Sequence, residues 1–434
     1  MEVLNHDLAK LDSLSTLPTS NRGHLHNVRL LNAFNNHLDK LARPTICVGH
    51  EHWSAFHICG FSGVALAVLM TMSLTLYKDL SPVMMAAIIL AAVLTFFALV
   101  MATKIITGEE QIIYYHHEIA VMIVAALLLW LLGQPLLPYL DLTILGIGMF
   151  LACGRVGCLM VGCCHGRPHS WGVRYTREHA AAGFTHYYVG VRLFPIQAIE
   201  SVWVLGIVIV GSFFVLEGGP PGTALAWYVV MYDLGRFCFE FVRGDPDRPY
   251  LWGYSQGQWI SVWLMCFVAG AEVDGALPFH MWHLIATACL VLAMIAVALH
   301  RRLQRIMKFQ LLHPRHVEEI ALAIELVSST ATEVTASHVW TVLPKLESIQ
   351  REIHVAGTSL GVQMSASRIR GAGDSIDHFA ISQLDGEMTE GTARILARLI
   401  LQLKRATGPG RVVSGNRGVF HLLIHPLGKE VGAL

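Results

Sequence analysis

The chain has 434 residues, of which 54% are hydrophobic and only 14% charged, and its formal net charge at pH 7 is zero. A composition this apolar excludes a soluble globular protein of such length, and the balanced charge offers no footing for a nucleic-acid partner. A polytopic membrane protein is what remains.

Taken in chain order, the first 45 residues are polar, carry Lys10, Arg22, Arg29, Lys40 and Arg43, and lack the apolar core of a cleavable signal peptide. They read as a polar tail over 1–50, after which the first span must itself direct insertion. Apolar runs near the roughly 20 residues that a bilayer requires follow at 53–77, 83–103, 112–133, 142–162, 196–216, 223–243 and 280–300. A shorter run at 258–271 reads as a tilted span or a re-entrant piece, so seven or eight transmembrane helices are expected. If it spans, the tail and the loops with Lys104, Arg167, Arg174, Arg177, Arg192, Arg248 and Arg301–Lys308 share one side, with Lys78 opposite. The positive-inside tendency makes that side cytoplasmic. If it does not span, the tail lies outside and only the cluster after residue 300 lies inside.

Composition turns polar at Arg301. Residues 309–434 read as a small α+β soluble domain: helices over 317–328 and 339–354, strands over 362–369 and 376–383, a helix over 389–405, and a last strand over 419–425. Ile395, Leu399 and Leu403 share one face of the 389–405 helix, and Gly408-Pro409-Gly410 stops it. The glycine- and arginine-rich run 408–418 lacks P-loop spacing and reads as a surface turn. The expected fold is therefore an all-α polytopic membrane region over 51–308 followed by this domain.

Inside the 223–243 run, Tyr232, Arg236, Glu240 and Arg243 recur every three or four positions and share one helix face. An intramembrane arginine costs about 2.5–3.5 kcal/mol even on lenient insertion scales, so the stripe implies a buried polar site; an Arg–Glu pair that merely ties helices together is the competing reading. A second motif, Gly154 to Pro168, combines closely spaced glycines with Arg155 and Arg167, whose planar forks suit phosphate oxygens. The nine cysteines lie mostly in or beside apolar runs, which argues against a disulfide framework. Cys158, Cys163, Cys164 and His165 do not have a standard zinc spacing, and small buried side chains are the simpler reading of these thiols.

The second motif resembles the signature of the prolipoprotein diacylglyceryl transferase family. Gly154, Arg155, Val156, Gly157, Gly162, Gly166, Arg167 and Pro168 match it, whereas Cys158 and Val161 replace two Asn, Cys163 replaces a Glu and His169 a Thr. Three further blocks resemble the family in order: Phe194 to Glu200, Tyr232 to Arg243, and Ser255 to Gln258. Upstream, Tyr114-Tyr115-His116-His117-Glu118 keeps the histidine of a family block but neither of its glycines.

The resemblance implies transfer of a diacylglyceryl group from phosphatidylglycerol to an acceptor cysteine thiol, with release of glycerol phosphate, in the bacterial cytoplasmic membrane. It makes Arg155 and Arg236 a phosphate clamp and His116 the base, with His117 as its alternate. Glu240 would orient Arg236 or Arg243, and Tyr232, Gln197, Gln258, Gly166, Arg167 and Arg243 would line the substrate site. No metal or cofactor is required. A catalytically inactive lipid sensor signalling through residues 309–434 is the first alternative. A metal-dependent enzyme using Glu109, Glu110, His116, His117 and Glu118 is the second.

Overall fold

The computed structural model describes residues 22–108, 114–303, 310–335, 354–370, 375–406, 408 and 410–425. The expected helix over 339–354 and the acidic pair Glu109 and Glu110 lie outside these residues. Two compact units are present, Met1–Leu41 and Ala42–Leu434. In the first, helix α1 (Arg22–Leu41) occupies part of what reads in the sequence as a polar tail. In the second, a hairpin of β1 (Thr45–Val48) and β2 (Glu51–Ser54) precedes the apolar helices.

Those helices are α2 (Ala55–Tyr77), α3 (Pro82–Thr107), α4 (Tyr114–Leu131) and α5 (Leu136–Val161). After a connection holding β3 (Pro168–Arg174), the short α6 (Arg177–Ala181) and β4 (Arg192–Leu193) come α7 (Ile196–Leu216) and α8 (Thr223–Phe239). A tight hairpin of β5 (Tyr250–Leu251) and β6 (Tyr254–Ser255) leads into α9 (Gln256–Val273) and then α10 (Met281–Leu303). Six of the helices, α2, α3, α4, α5, α7 and α10, are long and apolar enough to cross a membrane. α8, with 17 residues, ends four positions before the apolar run does, because polar Glu240 caps it and the chain turns.

Helix α5 is the centre of the bundle, and small residues let its neighbours approach. A Cβ on Gly63 of α2 would meet Cys153 at 2.9 Å, one on Gly157 of α5 would meet Cys59 at 3.1 Å, and one on Gly146 would meet Thr71 at 2.7 Å. Without a hydrophobic drive between helices in lipid, such close backbone packing supplies much of the association. Asp141 of α5 caps the start of α8 by accepting from Gly222 N and Leu225 N, both at 2.7 Å, a carboxylate placed on the positive end of a helix. Outward faces remain apolar, with Phe61, Leu69, Ile105, Ile106 and Trp130 exposed, as a lipid-facing belt requires.

The C-terminal region contains α11 (Pro314–Ser329), β7 (Thr332–Thr335), β8 (Ala356–Gly357), β9 (Val362–Arg370), β10 (Ser375–Gln383), α12 (Glu390–Leu403), β11 (Gly410–Ser414) and β12 (Phe420–Ile424). The sheet order is β11-β12-β10-β9-β7, antiparallel apart from β7 with β9, and β8 pairs with β9. Phe379, Ile381, Leu422 and Ile424 on the sheet and Leu396, Leu399 and Ile400 of α12 are buried, which is the period-two and period-3.6 patterning expected. Of the run 408–418 expected to be a surface turn, Gly410–Ser414 is instead strand β11, paired with β12 from Gly410↔Ile424 to Ser414↔Phe420, and 415–418 form the turn between the two strands.

On the other sheet face, Ser367 Oγ lies 2.8 Å from His378 Nδ1, and His378 Nε2 lies 2.9 Å from His421 Nδ1. Burial, with the His421 ring beside it, pushes His378 down to about 4. The unfolded chain takes up this proton near the ordinary value of about 6.5, so the unfolded state binds more protons as pH falls below that point. Stability contributed by the neutral ring should be full above pH about 6.5 and decline toward pH about 4. Melting temperature measured against pH should show that decline, and His378→Gln should flatten it.

Helix α11 sits on the connections between the apolar helices. Arg315 Nε donates to the Pro246 carbonyl at 3.2 Å and its Nη2 to the Arg248 carbonyl at 2.9 Å, while Tyr187 donates to Glu318 at 3.1 Å. The C-terminal region thus holds the loop that carries Arg248.

Candidate active site

Four ordered segments converge at one end of the bundle. Arg155 comes from the last two turns of α5, Glu200 from the first turns of α7, and Tyr232 and Arg236 from the last two turns of α8; all four are buried. Glu200 is the joint. Arg155 Nε lies 3.0 Å from its Oε2, and its Oε1 accepts from Tyr232 at 3.3 Å and from Arg236 Nη1 at 3.5 Å.

The chain continues the network beyond α8. Arg236 Nη2 lies 2.6 Å from Glu240 Oε1, Arg243 Nη1 lies 3.7 Å from the same atom, and Arg248 pairs closely with the other oxygen. Arg243 grips Asp245 with two bonds, Nε to Oδ1 at 3.0 Å and Nη2 to Oδ2 at 2.8 Å, the fork geometry that makes arginine–carboxylate pairs strong. Burial opposes the Asp245 charge, and Arg243 and Arg248 overcome it, holding the carboxyl below its ordinary value. Arg243 was expected on the helix face of the stripe. It lies in the turn after α8, yet that turn returns it to Glu240.

The glycine motif forms the other wall. Gly162 ends α5 at φ +91°, and the following residues fold back so that Gly166 pairs with Arg243 as an isolated bridge. Gly166 N donates to Phe194 O at 3.1 Å, Arg167 N to Val242 O at 3.1 Å, and Gly244 N to His165 O at 2.9 Å. A Cβ on Gly166 would collide with the Phe194 carbonyl. Gly166→Ala should therefore lower stability by about 1–3 kcal/mol, the usual range for overpacking, seen as a lower melting temperature in detergent. Arg167 Nε and Arg248 Nη2 both donate to the Arg243 carbonyl, at 3.2 and 3.3 Å. Burial lowers the Arg167 pKa, and no carboxylate lies within ion-pair distance of it among the described residues. Five guanidinium groups here (Arg155, Arg167, Arg236, Arg243, Arg248) face three carboxylates (Glu200, Glu240, Asp245). Arginines outnumber carboxylates here by two.

The remaining expected residues divide. Gln197 is buried in the first turn of α7, its Nε2 donating to Cys163 O at 2.8 Å while Oε1 has no hydrogen-bond partner. Gln258 is occupied as a cap: Oε1 accepts from Ser255 N at 3.1 Å and Nε2 donates to Phe237 O at 3.3 Å. His116 is exposed on the first turn of α4 with its Nε2 3.2 Å from Gln256 Nε2, whereas His117 is buried against Phe96. The ion-pair network is thus one assembly, and His116 stands one residue outside its edge, since Gly257 borders Glu240. In the sequence Glu200 stands only as the end of the Phe194 to Glu200 block and Arg248 only as a loop cation, and Asp245 was not singled out. Neither was the approach of Cys158, Cys163 and Cys164, whose sulfurs lie within 4.8 Å of one another. Hydrogen bonds from Cys158 and Cys163, with Arg243 and Arg155 close by, hold the Cys164 thiol well below its ordinary value.

The family model for prolipoprotein diacylglyceryl transferase matches residues 53–273, half of the chain. The protein belongs to this family. Among its relatives, the phosphatidylglycerol–prolipoprotein diacylglyceryl transferase 2 of Clostridium perfringens is 29% identical over 127 residues, covering 29% of this chain and 47% of the relative. The phosphatidylglycerol–prolipoprotein diacylglyceryl transferase of Clostridium tetani is 30% identical over 128 residues, covering 29% and 49%. That of Dehalococcoides mccartyi strain CBDB1 is 34% identical over 128 residues, covering 29% and 46%. The chain spans about half the length of the curated relatives it matches. The family match ends at residue 273, so α10 and the C-terminal sheet lie beyond it.

Proposed function

We propose that this protein is a phosphatidylglycerol-dependent diacylglyceryl transferase of the bacterial cytoplasmic membrane. A membrane domain over 51–308 would carry the chemistry, and residues 309–434 would form a soluble domain resting on its loops. The observation that carries this reading is the buried excess of guanidinium charge around Glu200 and Glu240. Buried positive charge is costly unless an anion offsets it, and a lipid phosphate is the anion that an apolar bundle meets.

In the proposed reaction an acceptor thiolate attacks the diacylglyceryl carbon bonded to the phosphate oxygen. A carbon–sulfur bond forms, the carbon–oxygen bond breaks, and glycerol phosphate leaves with the electron pair. The thiol proton passes to the imidazole of His116, the side-chain type suited to act as a base at neutral pH. Negative charge grows on the departing phosphate, so fixed guanidinium donors stabilise the transition state more than the ground state. Arg155 and Arg236, with Arg243 and Arg167 beside them, would provide those donors, and Tyr232 would bond a phosphate or glycerol oxygen. Gln197 has a buried oxygen free to accept from a glycerol hydroxyl.

We further propose eight crossings, with α8 and α9 spanning alongside the six helices that are long and apolar enough to cross. Eight crossings put the 162–195 and 240–255 connections and the C-terminal region on one face. Arg301 at the end of α10 donates to Gly253 O at 2.7 Å, in keeping with that arrangement. Tyr77 donates to Leu216 O at 3.1 Å and Asp141 caps α8 at the other end.

The test is incubation of the protein in phosphatidylglycerol liposomes with a peptide bearing a lipidation-site cysteine, following peptide lipidation and glycerol phosphate release separately. Both products are expected. Release without lipidation would move the acceptor elsewhere, and neither product would leave a lipid-binding protein without turnover.

A further inference from the structure

At the end of the bundle remote from the arginine cluster, a second group of ionisable side chains is buried. Glu272 lies in the last turn of α9, His280 in the connection to α10, and His283 in the first turn of α10. Glu272 is 2% exposed and His283 1%. Glu272 Oε1 lies 2.5 Å from His283 Nδ1 and 3.7 Å from His280 Nδ1, and the three ligand atoms are all within 4.8 Å of one another. No lysine or arginine lies within ion-pair distance of Glu272 among the described residues. Glu272 Oε2 and His283 Nε2 are both buried without a hydrogen-bond partner. A buried carboxylate that leaves one oxygen unbonded is a costly arrangement for a simple structural pair.

We propose that Glu272, His280 and His283 form a binding site for a divalent transition-metal ion of the zinc class. Imidazole nitrogens and a carboxylate are the ligand chemistry such ions take. With metal–ligand bonds of about 2.0–2.2 Å, tetrahedral ligand atoms lie about 3.3–3.6 Å apart. His280 Nδ1, 3.7 Å from Glu272 Oε1, lies just beyond that spacing and would exchange its hydrogen bond to the Pro278 carbonyl, 2.9 Å away, for the ion. The 2.5 Å contact of His283 with Glu272 is closer than that spacing, so a bound ion needs the pair to open by about 1 Å. Glu272 Oε2 or a water completes the sphere. Trp282 lies edge-on to His283, ring centroids 3.9 Å apart, and fixes its orientation. A bound ion would tie α9 to α10 across the connection at 274–280.

The experiment uses the full-length protein in detergent, stripped with chelator and titrated with Co²⁺ and then Zn²⁺. One Co²⁺ per chain is expected, with the visible absorption of a four- or five-coordinate ion, displacement by Zn²⁺ and a higher melting temperature, because an ion that binds only the folded state stabilises it. His280→Ala, at a half-buried position where folding is little disturbed, should weaken binding more than about tenfold, and so should Glu272→Gln. Cys163→Ser/Cys164→Ser should leave the Co²⁺ spectrum and affinity unchanged. Failure of the wild-type chain to take up Co²⁺ at micromolar concentration would overturn the proposal. So would undiminished uptake by folded His280→Ala, or loss of the signal in the cysteine variant, which would place the ion on the thiols.

Discussion

Glu200→Ala should be the most destabilising single change at the arginine cluster, lowering stability by about 3–5 kcal/mol, the range for removing one partner of a buried ion pair. Glu200 receives Arg155, Arg236 and Tyr232 at once. Without it Arg155 loses its carboxylate, whereas Arg236 keeps Glu240 at 2.6 Å. The damage is therefore centred on Arg155, a buried guanidinium left to be desolvated with nothing opposite. Glu200→Gln should fall between wild type and alanine, because the amide oxygen still accepts hydrogen bonds but the charge is gone. Arg155→Met/Glu200→Ala should recover much of the loss by removing both charges together, and a double-mutant cycle in detergent melting experiments would isolate the pair. Equal melting temperatures for Glu200→Ala and wild type would show that Arg155 and Glu200 are not coupled.

Which parts of this site can be read from the sequence follows from what makes a residue improbable where it stands. Arg155 and Arg236 are legible because an ion within an apolar run is costly, so its mere presence carries information. Glu200 carries almost none, since a glutamate in the first turns of a helix opened by Pro195 is accounted for by ordinary end effects. Asp245 and Arg248 lie in a connection with no periodicity, and only the long-range bridge between Gly166 and Arg243 brings their loop against the glycine motif. Arg243 misleads in the opposite sense: its spacing fits a helix face, but the helix stops at Phe239. In the C-terminal region, the alternation in β9 and β10 and the apolar stripe of α12 are visible locally. β11 is not, because its Gly and Arg composition resembles a turn and its strand form depends on pairing with β12. Helix α1 escapes a reading that seeks apolar runs, being polar along most of its length.

Arg236→Ala should reduce transfer by about 10²–10³-fold, the loss seen when one preorganised donor to a developing oxyanion is removed, while the folded protein persists. The persistence follows from the network, because Glu240 retains Arg243 and Arg248 and Glu200 retains Arg155. The rate loss follows from the charge change in the proposed reaction. A singly charged phosphodiester becomes a phosphate monoester that carries more negative charge, so a guanidinium beside it gains interaction energy only as the carbon–oxygen bond breaks. The deficit should therefore appear in kcat more than in KM for phosphatidylglycerol. Arg236→Lys should restore little, since an ammonium is a point charge and cannot hold Glu200 and Glu240 with one hand while presenting a planar face to phosphate. Glycerol phosphate release is the readout, because it does not depend on which thiol accepts the lipid. A folded Arg236→Ala protein with wild-type kcat would leave the buried arginines a structural network and remove the phosphate clamp from the mechanism.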